Sequence, residues 1–129
     1  MDAHKIIDRN FAWCPDYDEK SFSGQLHENA HWSDDEYWLL EWALYKLAEA
    51  PIASQELNWR IFRIFSHTFL TFGCHFDRND VYKIENLKRA QVYELRERFQ
   101  LVFEGFFSKD MPTQDCFEIP NPLLGSVGD

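Results

Sequence analysis

The fold of this chain is decided by residues 33–51, which read SDDEYWLLEWALYKLAEAP. Ser33, followed three residues later by Glu36, makes the capping-box pattern that starts a helix. Acidic residues in the first turn lie at the positive end of the helix dipole and stabilise that start. Because Pro51 disfavours helix at the residue before it, the stretch predicts a helix from Ser33 to about Ala50.

This helix carries two apolar stripes. The first stripe follows helical spacing and should face the protein core; it comprises Tyr37, Leu40, Leu44, Leu47 and Ala48. The second stripe is aromatic and comprises Trp38, Trp42 and Tyr45. Both stripes need cover from the core or from a partner, and an exposed patch around Trp38 and Trp42 would favour self-association.

A second helix is predicted from about Ser54 to Phe72, with Gly73 as its C-terminal stop. Its polar face is narrow and comprises Glu56, Arg60, Arg63, His67 and Thr71. Most other positions are apolar: Leu57, Ile61, Phe62, Ile64, Phe65, Phe69, Leu70 and Phe72. A helix that is apolar on most sides packs against several neighbours, so we expect this helix at the centre of the fold.

A third helix is predicted over residues 86–107, where apolar residues again recur at helical spacing. The chain therefore reads as one all-α domain in which three main helices pack around an aromatic-rich core. In this prediction residues 33–107 form the helical core and residues 1–32 an irregular N-terminal segment. Residues 108–129 contain three prolines and form an extended tail.

The net charge of −9 is unevenly distributed. Residues 1–50 carry eleven acidic against four basic residues, residues 51–109 seven against nine, and residues 110–129 four against none. Acids beside Trp and Tyr suit a surface that binds a basic protein, because complementary charge speeds encounter and buried aromatics anchor the complex. The alternative is a solvated surface that keeps the protein soluble. The charge argues against nucleic acid or an anionic membrane as the main ligand.

Several features predict a cytoplasmic protein. The cysteines Cys14, Cys74 and Cys116 are odd in number and show no paired spacing, which favours reduced thiols over disulfides. The N-terminus lacks the apolar middle of a signal peptide, and no uncharged run is long enough to cross a bilayer.

His27, Glu28 and His31 match the H-E-x-x-H pattern. On a helix the two histidines face the same way and bind zinc, while the glutamate activates the metal-bound water. Residues 21–31 are compatible with a short helix, although Gly24 weakens it. A minimal zinc hydrolase with His27 and His31 as metal ligands is therefore the alternative function. The competing interpretation is two surface histidines that flank an acid.

A second group with metal-ligand chemistry comprises His67, Cys74 and His75, at and after the end of the second predicted helix. Free cysteine usually behaves as a small buried hydrophobe, which favours a structural interpretation. The sequence contains no nucleophile-elbow, phosphate-loop or dinucleotide glycine pattern. We therefore expect no cofactor and no catalytic residue.

Two stretches of the first third of the chain resemble a known group of proteins. They are NFAWCPDYDE at residues 10–19, and SFxGxLxE at residues 21–28 followed by Trp32 and YWxLE at residues 37–41. Together they resemble small bacterial immunity proteins encoded beside polymorphic toxins, including those of contact-dependent growth inhibition systems. The resemblance implies a cytosolic, non-enzymatic protein that binds the C-terminal domain of one cognate toxin, often a nuclease, and blocks its active site. It transfers no individual binding residue.

The charge pattern agrees with this resemblance, because a nuclease active site binds phosphates and is therefore basic. The predicted binding area combines acids and aromatics from the first third of the chain: Asp16, Tyr17, Asp18, Glu19, Glu28, Trp32, Asp34 and Asp35. A related hypothesis is an acidic mimic of nucleic acid that blocks a DNA-binding protein.

Overall fold

A computed structural model describes residues 1–125 of the chain. These residues form five α-helices and no strand: α1 (Ala3–Asn10), α2 (Phe22–Asn29), α3 (Asp34–Leu47), α4 (Gln55–Phe76) and α5 (Arg89–Ser108). The all-α class is therefore confirmed, and α3, α4 and α5 correspond to the three helices predicted from the sequence. Within the described range no helix has the length and apolar character needed to span a membrane.

The N-terminal segment is more ordered than predicted, because it contains α1 and α2. Asp2 and Ser21 cap these helices by accepting hydrogen bonds from backbone amides three residues later. Helices of eight residues are marginal in isolation, so their stability comes from packing. Ile7 on α1 and Phe22 on α2 are fully buried in the core. The short helix predicted after Ser21 is confirmed, whereas α1 was not predicted.

The start of α3 is confirmed, since the Ser33 hydroxyl accepts the Glu36 backbone N–H at 3.2 Å. In a capping box the Glu36 side chain would accept a backbone N–H at the start of the helix. Here its carboxylate instead forms an ion pair with Arg9 at 3.2 Å. The helix ends at Leu47 rather than Ala50. Three members of the predicted buried stripe are buried: Tyr37, Leu40 and Leu44. The aromatic stripe is partly buried and packs against the core: Trp38, Trp42 and Tyr45.

The predicted stop of α4 at Gly73 is wrong, because the helix continues to Phe76. His75 is buried and Phe76 packs against the core, so tertiary packing outweighs the penalty of about 1 kcal/mol for glycine within a helix. The expectation that α4 packs against several neighbours is confirmed, since the helix contacts α1, α2 and α5. One face of the helix remains exposed and carries Trp59, Phe62 and Leu70.

Aromatic rings from four elements interlock in the core. Phe22 of α2 lies edge-on to Trp32 at a centroid distance of 4.9 Å and near Tyr37 of α3 at 5.5 Å. Phe99 of α5 is fully buried and lies 5.8 Å from Phe72 of α4. The aromatic-rich core is therefore confirmed, and the short helix α2 supplies one of its central rings.

The tail after α5 is mostly irregular over the described residues, with two short 3-10 turns at Gln114–Cys116 and Pro122–Leu124. It returns to α3, because the side chain of Asn121 donates to the Trp38 carbonyl at 3.0 Å. The last four residues of the predicted extended tail, 126–129, lie outside the described range.

Candidate protein-binding surface

Arg9 on α1 joins two acidic segments of the sequence. Its guanidinium donates to Asp18 at 3.1 Å and to Glu36 at 3.2 Å. The backbone N–H of Lys20, and after it the Arg9 guanidinium, hold the pKa of Asp18 below its ordinary value. The acidic loop before α2 and the acidic first turn of α3 therefore meet around a single arginine.

Tyr17 lies among the carboxylates of this region. Burial raises the pKa of its hydroxyl above the ordinary value, and nearby carboxylates raise it further. These carboxylates belong, in order of effect, to Glu28, Glu19 and Asp18. The phenol stays neutral at physiological pH and can donate a hydrogen bond at the centre of a negative surface. We call the acidic surface the group of Tyr17, Asp18, Glu19 and Glu28, together with Asp34 and Asp35 of the first turn of α3.

Most of the predicted acidic residues are accessible. Five of them are exposed and form no ion pair within residues 1–125: Asp16, Glu19, Glu28, Asp34 and Asp35. An unpaired carboxylate keeps its full charge for an incoming cation, whereas Arg9 partly neutralises Asp18. Of the residues that the sequence assigned to partner binding, the structure brings together Tyr17, Asp18, Glu19 and Glu28.

Trp32 does not belong to this surface, and its assignment to partner binding is corrected here. Its side chain is 2% exposed and packs between Phe22 and Tyr37 in the core. Asn86 fixes its backbone through two hydrogen bonds, accepting from the Trp32 N–H at 2.9 Å and donating to its carbonyl at 2.8 Å. Trp32 stabilises the fold and has no surface with which to touch a partner.

Trp13 is an exposed aromatic residue of the acidic loop that the predicted binding area did not include. It is 63% exposed, in the same loop as Asp16 and Tyr17. Its indole stacks on Trp59 at 6.1 Å, and the Arg63 guanidinium lies 4.5 Å from its ring centroid. The sequence did contain a signal, since a tryptophan in a predicted turn, two residues before Pro15, belongs to no helix face that would bury it.

The H-E-x-x-H pattern does not form a helical zinc site. α2 ends at Asn29, and Ala30 adopts a left-handed conformation with φ of 51°. His31 therefore lies outside the helix and is exposed, while His27 is largely covered. The two imidazoles lack the one-turn helical spacing that makes them face a common metal ion.

His27 has a different role in the structure. Its ring stacks on that of His67 at a centroid distance of 3.7 Å and an interplanar angle of 12°. Its Nδ1 lies 2.7 Å from the Thr71 hydroxyl. Burial, and after it the neighbouring His67 and Arg63, lower the pKa of His27 to about 3. The imidazole is neutral at physiological pH and joins α2 to α4.

The second predicted metal group is dispersed as well. His75 accepts the backbone N–H of Ile84 at 3.0 Å through Nδ1, while His67 stacks on His27. Burial, and then a hydrogen bond with Asp80, raise the pKa of the Cys74 thiol. These three side chains therefore serve separate local contacts.

Within the described residues, one set of three potential metal ligands has its donor atoms within 4.8 Å of one another: Asp8, Cys14 and Asp16. Arg60 already supplies a positive charge there, because its guanidinium forms an ion pair with Asp8 and lies 3.9 Å from the Cys14 sulfur. The carboxylate of Asp8 is thus neutralised by the protein itself.

Comparisons with protein-family models, curated proteins and solved structures find no match to this chain. The acidic surface and Trp13 are therefore the features of the molecule that bear on its function.

Proposed function

We propose that this chain is a non-enzymatic, cytoplasmic immunity protein that binds the basic C-terminal domain of a cognate toxin, most simply a nuclease, and blocks its active site. The observation that carries the proposal is the set of unpaired carboxylates around Tyr17, in the same loop as the exposed Trp13. The resemblance of residues 10–41 to immunity proteins of contact-dependent growth inhibition systems supports the same function.

In this proposal the acidic side chains speed association, and an exposed aromatic side chain stabilises the complex. The carboxylates of Glu19 and Glu28 attract a basic partner and speed its encounter. Trp13 then supplies a large rigid side chain, of the type that dominates binding energy at protein interfaces. Because Trp59 and Arg63 already hold the indole, little side-chain freedom is lost on binding.

The experiment tests binding to the C-terminal domain of a toxin encoded next to this chain. We compare the double variant Glu19→Lys, Glu28→Lys with the control Glu94→Lys, Glu97→Lys, which makes the same change in net charge on the exposed face of α5. Stopped-flow association should slow at least about tenfold for the first variant and much less for the control. Equal slowing in both would refute the assignment to the acidic surface.

A second variant tests the aromatic anchor. Trp13→Ala should speed dissociation by about tenfold or more, with little change in the association rate, because it removes a contact made only in the complex. Thermal denaturation of the free variant provides the control for folding. If no adjacent toxin domain binds the wild-type chain at low ionic strength, the proposed function is wrong.

A further inference from the structure

An apolar groove lies between the C-terminal half of α5 and the first half of α4. Its volume is about 630 Å³. Its apolar lining includes Phe62, Phe65, Leu101, Phe103, Phe107 and Pro112. The groove shares no residue with the acidic surface, so it is an independent feature of the molecule.

An exposed apolar ridge runs along α4 beside this groove. It consists of Trp59, Phe62 and Leu70, which are 46%, 48% and 66% exposed. Helical spacing puts these three residues on one face of α4, and Phe62 forms the wall common to the ridge and the groove. The molecule thus has an apolar ridge directly beside an apolar groove.

The exposed area matches the apolar part of a protein interface. Aromatic side chains carry about 150–250 Å² each, so the half-exposed rings of Trp59, Phe62 and Phe107 leave roughly 300 Å² accessible, to which Leu70 and Leu101 add. A standard interface buries about 800 Å² per partner, of which about 60% is apolar. A patch of this size lies within the range of the largest apolar patch on a typical monomer, and such patches are often functional.

The charges that flank the two features are opposite. Arg63 borders the ridge on the side of Trp13, whereas Glu104 and Asp110 line the groove. A surface with a ridge beside a groove, and with opposite charges at its two sides, is complementary to its own two-fold copy. In that arrangement the ridge of each copy enters the groove of the other, and Arg63 of one copy faces Glu104 of the other.

We propose that two copies of this chain associate through this surface as a two-fold symmetric dimer. The dimer leaves Tyr17, Glu19 and Glu28 accessible on both protomers, because none of them lines the groove or the ridge. Trp13, which stacks on Trp59 of the ridge, lies at the border of the dimer surface, so a second copy and a toxin domain compete for it. The net charge of −9 repels two copies at low ionic strength, so the dimer strengthens as salt rises. This salt dependence is opposite to that expected for a basic partner on the acidic surface.

Sedimentation velocity of the full chain over about 1–100 µM tests the proposal, a range that detects micromolar association. The wild type should shift from monomer towards dimer with concentration, and Phe62→Glu should remain monomeric. Val81→Glu is the matched control, because Val81 is fully exposed and lies outside the surface. A wild type that is monomeric at every concentration, at low and at high salt, overturns the proposal. If Phe62→Glu then weakens binding of a toxin domain, the ridge belongs to the toxin interface and the dimer proposal is still wrong.

A charge exchange tests the two-fold geometry. Arg63→Glu and Glu104→Arg should each weaken the dimer by about tenfold, and the double variant should recover most of that loss, because both ion pairs reform with their partners exchanged. Far-UV circular dichroism of each variant verifies folding. If the loss of dimerisation free energy in the double variant equals the sum of the losses in the two single variants, this arrangement is wrong.

Discussion

The carboxylate of Glu41 on α3 accepts two hydrogen bonds from the guanidinium of Arg98 on α5, at 2.8 and 2.9 Å, and its side chain has no solvent exposure. A buried ion pair is stable only when its remaining hydrogen-bonding capacity is satisfied. Three further side chains donate to the same carboxylate: Tyr37, Gln114 and Asn121. Glu41 therefore holds α3, α5 and the C-terminal tail together.

Replacing this carboxylate should destabilise the fold strongly. In Glu41→Gln one acceptor oxygen becomes an NH₂ group that faces donors, and Arg98 keeps a buried charge without its partner. We expect a loss of about 3–5 kcal/mol in the free energy of unfolding, measured by urea denaturation. Glu49→Gln is the control, because Glu49 is exposed and its pair with Lys46 contributes little. Equal stability of the two variants would contradict the role of Glu41.

Replacement by alanine should change the stability of the fold in opposite directions at Gly24 and Gly73. A Cβ at Gly24 would lie 2.5 Å from the carbonyl oxygen of Glu19, so Gly24→Ala must displace backbone and should cost about 1–3 kcal/mol. A Cβ at Gly73 meets nothing within 4 Å, so Gly73→Ala should stabilise α4 by about 0.5–1 kcal/mol. Thermal denaturation of the two variants measures both effects, and a stabilising Gly24→Ala would contradict the close packing of α2 on the acidic loop.

Stability should fall as the solution is acidified below pH 6.5, because of His27. Its pKa is about 3 in the folded chain against 6.5 ordinarily, so the unfolded chain binds a proton that the folded chain does not. The stabilisation is complete above pH 6.5 and is lost towards lower pH, at about 1.4 kcal/mol per pH unit for this residue. Urea titrations between pH 6.5 and about 5.5, above the range in which most carboxylates titrate, measure this slope.

The variant His27→Gln isolates this contribution. It should reduce the dependence of the free energy of unfolding on pH by the amount that corresponds to about one proton. His67 and His75, whose pKa values burial also lowers, keep their own contributions to that dependence. His31→Gln is the matched control, because it makes the same substitution at an exposed histidine. A slope that is the same in wild type and His27→Gln would show that the folded imidazole takes up protons normally.

Added zinc should leave the stability of the chain unchanged. A ligand that binds only the folded state raises the melting temperature, and His27 and His31 do not form a common site for one. Differential scanning fluorimetry with equimolar to excess zinc should show a shift below about 1 °C. A saturable increase that disappears in His27→Gln would instead support the zinc hydrolase alternative.

Local sequence signals predicted those features that neighbouring residues determine. The start of α3 depends on Ser33 and a backbone amide three residues later, and the buried positions Leu40 and Leu44 follow from helical spacing. The concentration of acidic residues in the first third of the chain was evident from the sequence, whereas the approach of Glu28 to Tyr17 is a tertiary feature. Arg9, which joins Asp18 to Glu36, was not part of that prediction.

Burial was the weakest part of the prediction. Trp32 and Trp13 are chemically alike and close in sequence, yet the first is in the core and the second is exposed. Glu41 was counted among the acids of the first third of the chain but is fully buried. Its partner Arg98 lies 57 residues away, so no pattern of local spacing connects them.

The sequence by itself determined the helical class, the start of α3 and the concentration of negative charge before residue 50, because caps, periodicity and charge act over a few residues. Only the tertiary structure decided which apolar faces are covered. α4 is apolar on several sides, and its neighbours bury Ile61 and Ile64 while they leave Phe62 and Leu70 exposed. The physical reason is that burial depends on contacts between distant segments, whose geometry is set by the packing of all five helices together.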